Sequence, residues 1–117
     1  MTFSQMFILA FAGHLVTDYT LQGCLANMKQ KSWWHSQTSD PKYDGDYREA
    51  LFSHAVYWSI GTFAIVYWNH PWVLPIVIVN ALIHAYIDDL KANKLKINLI
   101  TDQHLHLTQI LLTLLLV

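Results

Sequence analysis

From Ala50 to Ile87 the chain runs through 38 residues without one Asp, Glu, Lys or Arg. A membrane-spanning helix needs about 20 predominantly apolar residues. The stretch is therefore nearly two spans long, and Asn69-His70-Pro71 breaks it in the middle. Two further uncharged stretches, Met1–Thr17 and Gln103–Val117, stand at the two ends. The pattern predicts four helices, at 3–28, 50–68, 72–92 and 97–117. They are expected to form one all-α domain over 1–117, an up-and-down four-helix transmembrane bundle with a long polar loop, 29–49, between helices 1 and 2. No basic residue precedes the first apolar run and no small-residue cleavage site follows it, so that run is read as a span and not as a signal peptide.

Composition narrows the class further. Only 13% of the residues are charged and 54% are hydrophobic, against about 25% charged in soluble domains. That excludes a disordered tail, and a net charge of -1 gives no reason to expect nucleic acid as a partner. The single cysteine, Cys24, excludes an internal disulfide framework and a Cys-based zinc finger. Four of the seven basic residues lie in the segment 29–49, and the other three are Lys91, Lys94 and Lys96. Up-and-down threading brings both links to one side, which the positive-inside bias makes cytoplasmic, with both termini on the opposite side. Trp33, Trp34, Trp68 and Trp72 are expected as interfacial anchors.

The polar residues inside the apolar segments recur in rows. His14, Asp18 and Gln22 stand at i, i+4 and i+8, Asn80, His84 and Asp88 repeat that spacing, and Asp102, His106 and Gln109 reverse its order. Helical neighbours three or four apart share a face. The second helix contributes His54, with Ser53 and Tyr57 nearby. At about 1.5 Å per residue, all four sets fall roughly 5–15 Å from the cytoplasmic surface. A carboxylate at a helix centre costs about 2.5–3.5 kcal/mol on insertion scales, so these groups are expected to face one another.

Imidazole and carboxylate together suit first-row divalent ions, whereas calcium and magnesium prefer all-oxygen shells. His14, Asp18, His84, Asp88, Asp102 and His106 are the expected ligands of one or two ions of zinc, manganese or iron. Gln22, Asn80, Gln103 and Gln109 are expected to support them through hydrogen bonds. The set exceeds one tetrahedral shell, which suggests a metal-dependent hydrolase of a phosphate-containing or lipid-derived substrate. In that reading His54 or an unligated carboxylate takes the proton of the attacking water, and Lys91 offsets substrate charge. The alternatives are a metal-free hydrogen-bond network that orients the helices, a small ion carrier, and a non-enzymatic accessory protein. The last would bind and modulate a larger membrane complex through the loop 29–49. His35, His70 and His104 are read as solvated, and Cys24 as apolar filler.

Four dispersed motifs give the chain a resemblance. Gly13-His14-Leu15-Val16-Thr17-Asp18-Tyr19-Thr20-Leu21-Gln22, Ser53-His54-Ala55, His84-Ala85-Tyr86-Ile87-Asp88-Asp89-Leu90-Lys91 and Thr101-Asp102-Gln103-His104-Leu105-His106 occur in that order over nearly the whole length. Together they resemble a bacterial and phage membrane-protein family designated domain of unknown function 3307. The family's last motif, Asp-Gln-x-x-His, selects His106 over His104, and helical spacing agrees. The resemblance implies an integral protein of the bacterial inner (cytoplasmic) membrane with a polar site inside its bundle. It implies no settled activity.

Overall fold

Thr2 opens the first helix with a capping box: its hydroxyl accepts from Gln5 N at 3.2 Å while Gln5 Oε1 accepts from Thr2 N at 2.8 Å. The computed structural model describes residues 1–117, and all of its regular elements are helical. Helix α1 (Phe3–Leu15) passes into a π-helical turn (Val16–Thr20), followed by α2 (Leu25–Met28) and α3 (Lys31–Gln37). A 3-10 turn (Pro41–Tyr43) leads to α4 (Asp46–Asn69), and a second (Pro71–Val73) leads to α5 (Leu74–Ala92). Asn98 then caps α6 (Leu99–Leu115), its side chain accepting from Thr101 N at 2.9 Å.

The four long helices close into a ring, with α4 between α1 and α5, and α6 against α5 and α1. All neighbours are antiparallel. Along α1 and α4, His14 meets Trp58 and Asp18 meets His54; along α5 and α6, Lys91 meets Asp102 and Asn80 meets Thr113. Partner numbers fall in one helix as they rise in the next.

Two stretches, Pro41–Asn69 and Pro71–Ala92, are long and apolar enough to cross a membrane. The first expected helix, 3–28, is shorter than its apolar content suggests. The chain leaves helical geometry after Thr20, and Gly23 takes φ +56°, a left-handed conformation that glycine adopts without a Cβ penalty. The expected loop 29–49 is also partly helical, since α3 and the first turn of α4 fall inside it.

The interior is half polar. Of 28 buried residues, 14 are polar or charged, while large apolar side chains such as Ile8, Ile60, Leu82, Leu112 and Leu115 stand more than half exposed on the outside. Most of the polar residues gather toward one end of the bundle. Beyond Trp58 the other end is mainly apolar, filled by Met6, Phe63, Val66, Val73, Ile110 and Leu114, with Thr62 and Thr113 as buried polar residues among them.

Close helix contact holds the polar half in register. A Cβ at Gly13 would fall on the Gly61 carbonyl, and one at Gly61 on the Thr17 side chain. Gly13→Ala therefore forces two backbones apart and should cost about 1–3 kcal/mol. Gly45→Ala meets nothing within 4 Å and, at the N-cap of α4, should cost less, under about 1 kcal/mol. Thermal unfolding in detergent, compared between the two variants, checks this.

Candidate metal centre

The residues that the rows predict do meet. His14, Asp18, His54, His84, Asp88, Asp102 and His106 are all at most 5% exposed. They come from α1, its π-helical extension, α4, α5 and α6. Asp18 lies on the π-helical turn, where the ladder takes one extra residue; such turns are frequent at functional sites.

Asp88 is the common neighbour. Its Oδ2 is 2.8 Å from Lys29 Nζ, 3.3 Å from His54 Nε2 and 3.5 Å from His84 Nε2, and its Oδ1 is 3.3 Å from His106 Nε2. Asp18 Oδ1 lies 3.1 Å from His54 Nε2 and 3.8 Å from His84 Nε2. Asp102 places Oδ2 2.8 Å from Lys91 Nζ and Oδ1 3.3 Å from His106 Nε2. One ligand atom from each of Asp18, His84, Asp88 and His106 lies within 4.8 Å of the others, so this buried group could hold a metal ion.

The second nitrogen of each ring decides what the first can do. Trp58 Nε1 can only donate, and it donates to His14 Nδ1 at 2.8 Å. The proton of His14 is then on Nε2, which donates to Gln103 Oε1 at 2.9 Å. Both nitrogens of His14, expected as a ligand, are thus engaged in hydrogen bonds.

His106 is arranged differently. Gln109 Nε2 donates to Asn80 O and Oδ1, each at 3.1 Å, which turns Gln109 Oε1 to accept from His106 Nδ1 at 3.0 Å. Its Nε2 lone pair faces two carboxylates and needs positive charge between, from a metal ion or a second ring proton. An imidazole held at one nitrogen so that the other is free is the usual arrangement of a metal-ligating histidine.

His84 is fully buried and neither nitrogen has a hydrogen-bond partner; Asp102 Oδ1 and His54 Nδ1 are likewise unpartnered. Buried polar atoms are rarely left so. These orphans fit a centre that a cation completes.

The supporting amides behave unequally. Gln103 bridges two acids, donating from Nε2 to Asp18 Oδ2 at 2.8 Å and to Asp102 Oδ2 at 2.9 Å. Asn80 donates to Thr113 Oγ1 at 2.8 Å. Gln22, expected in line with His14 and Asp18, instead turns back and donates to Asp18 O at 3.0 Å, because the chain is no longer helical there. Lys91 is occupied by Asp102. His104 stands on the exposed side of α6, and His35 and His70 lie away from the centre.

Two participants were not singled out from the sequence. Trp58 stacks on His84 with ring centroids 4.0 Å apart, and its place four residues after His54 was a usable signal. Lys29 gave none: it opens a polar connection, yet it is 5% exposed. The connection is pinned there, with Asn93 Nδ2 donating to Lys29 O at 3.0 Å and Asn93 Oδ1 accepting from Lys31 N at 2.6 Å.

Breaking a buried ion pair from one side strands a charge. Lys29→Met should therefore destabilise the fold by about 3–5 kcal/mol. Lys42→Met, at an exposed pair with Asp40, should cost at most about 1 kcal/mol. Denaturant titration of the two variants in detergent measures the difference. No protein-family model, curated protein or solved structure matches this chain.

Proposed function

We propose that this chain is a metal-dependent hydrolase embedded in a bacterial cytoplasmic membrane, acting on a phosphate-containing or lipid-derived substrate. In this reading it belongs with the domain of unknown function 3307 family. All four long helices span, the connection 29–49 and the link Lys91–Lys96 face the cytoplasm, and both termini lie on the other side. The inside-out distribution of residues supports the spanning reading, because α1 and α6 turn apolar side chains outward and polar ones inward just as α4 and α5 do. An outer surface so rich in apolar side chains is what contact with lipid would require.

One observation carries the metal reading: His84 is wholly buried among Asp18, Asp88 and His106 with neither nitrogen satisfied. Asp18, His84, Asp88 and His106 would hold the ion. When bound, it supplies a Lewis acid and makes a water more acidic. Lys29 holds Asp88 Oδ2, the oxygen that also faces His54 and His84, Lys91 holds Asp102 Oδ2, and both lysines offset carboxylate charge. His54, between Asp18 and Asp88, would take the proton as the water oxygen bonds to the substrate, and the same imidazole would return that proton to the departing oxygen of the broken ester bond.

An ion carrier would need polar groups reaching the second surface. At the far end only Thr62 and Thr113 are buried and polar, among Phe63, Val66, Val73, Ile110 and Leu114 at 0–2% exposure, which speaks against that path.

Purified protein should carry a divalent metal that His84→Ala and Asp88→Ala lose, together with cleavage of a chromogenic phosphodiester. Elemental analysis and turnover measured on the same preparations check this; activity that persists without metal overturns it. The orientation has its own readout in the single exposed cysteine, Cys24, at the Lys-rich end of the bundle. A membrane-impermeant maleimide should label Cys24 in inside-out vesicles and leave it unlabelled in sealed right-side-out ones.

A further inference from the structure

His84 and His106 stack side by side, with ring centroids 4.0 Å apart and planes within 24°. Each aims Nε2 at a different oxygen of one carboxylate: His84 at Asp88 Oδ2, 3.5 Å away, and His106 at Asp88 Oδ1, 3.3 Å away. Each has a further acid on its outer side. Asp18 Oδ1 is 3.8 Å from His84 Nε2, and Asp102 Oδ1 is 3.3 Å from His106 Nε2. The unpartnered atoms divide the same way, with His84 Nε2 in one half and Asp102 Oδ1 in the other.

Resting on the metal reading above, we propose that the centre takes two divalent ions bridged by Asp88, and that its substrate is a phosphate ester. One ion falls to Asp18, His84 and Asp88, the other to Asp88, Asp102 and His106.

Three lines of geometry and charge support this. The two rings stack with centroids 4.0 Å apart and their Nε2 atoms face different oxygens of Asp88, an arrangement that suits two ions at the roughly 3.5–4 Å spacing of two-metal hydrolytic sites. Ligand atoms around a tetrahedral ion with bonds of about 2.0–2.1 Å stand about 3.3 Å from one another. The His106 separations meet that value, and the His84 separations exceed it by a few tenths of an ångström. A single ion on Asp18, His84, Asp88 and His106 would leave Asp102 Oδ1 buried without a partner.

Two dications with Lys29 and Lys91, against three carboxylates, leave three positive charges uncovered in apolar surroundings. Three protein ligands also leave an open position on each ion, as in catalytic sites. A phosphate group answers both requirements, since its oxygens reach two ions at once and its one or two negative charges offset part of that excess. Loading of the second ion must then depend on the anion.

The test is metal content per full-length chain in detergent, at saturating zinc or manganese, with and without inorganic phosphate. Two ions per chain are expected with phosphate, and fewer without it. Asp102→Asn and His106→Ala should hold one, and His104→Ala should hold two. Manganese-loaded wild type should give the spin-coupled electron paramagnetic resonance spectrum of a bridged pair, a readout that needs no variant to fold. One ion in wild type both with inorganic phosphate and with vesicles containing phosphatidic acid, an uncoupled spectrum where two ions are loaded, or two ions in Asp102→Asn would each overturn the two-ion centre while leaving the metal reading in place. No ion at all overturns both. Loading indifferent to inorganic phosphate, yet raised by vesicles containing phosphatidic acid, assigns the phosphate to a lipid headgroup; a response to neither removes the phosphate assignment.

Discussion

The carboxylate of Asp88 has no contact with solvent, and it gathers Lys29, His54, His84 and His106 from four different parts of the chain. An ionised group taken out of water loses several kcal/mol of hydration, which only close partners restore. The demand is directional, since each oxygen must be met from its own side. α4, α6 and the start of the 29–49 connection must therefore arrive at α5 in one register, and a slip by a helical turn would leave at least one charge stranded.

Two kinds of contact hold the helices together, close backbone packing and polar contacts between side chains. This bundle uses both, at different depths. The Gly13–Gly61 approach brings α1 and α4 close enough for His14 to reach Trp58 and for Asp18 to reach His54. Toward the mainly apolar end, Phe63, Val66, Ile110 and Leu114 fill space without polar contacts. Trp58 lies on the boundary, its indole face against His84, its edge against Phe63 and its N–H on His14.

Helical spacing made much of the centre legible. His84 and Asp88, and Asp102 and His106, lie four apart on continuous helices, so their shared faces survive into the structure unchanged. The reading failed where the backbone departs from 3.6 residues per turn. Gln22 was placed by extending the α1 row through Asp18, and the π-helical turn ends that row. Lys29 was out of reach for another reason. Its burial depends on a 59-residue separation from Asp88 and on the fold of a connection whose local sequence resembles any polar loop. Length and charge gaps located the long helices, but they gave no account of α3, whose short helix is fixed by Asn93 and by the Trp34 indole donating to Met28 O.

The four buried histidines also show why residue type alone misjudges such a cluster. Equal in the sequence, they are made unequal by what their second nitrogens touch. Trp58 donates to His14 and leaves it no free lone pair; Gln109 accepts from His106 and frees one. His54 has an unpartnered Nδ1, while its Nε2 lies between two acids. His84 keeps both nitrogens unsatisfied at the middle of the set. The surplus of candidate ligands in the sequence is therefore not a surplus in space. An indole and two amides, Trp58, Gln103 and Gln109, sort the imidazoles and acids into those that hold the bundle and those left free to bind, and none of the three is itself charged.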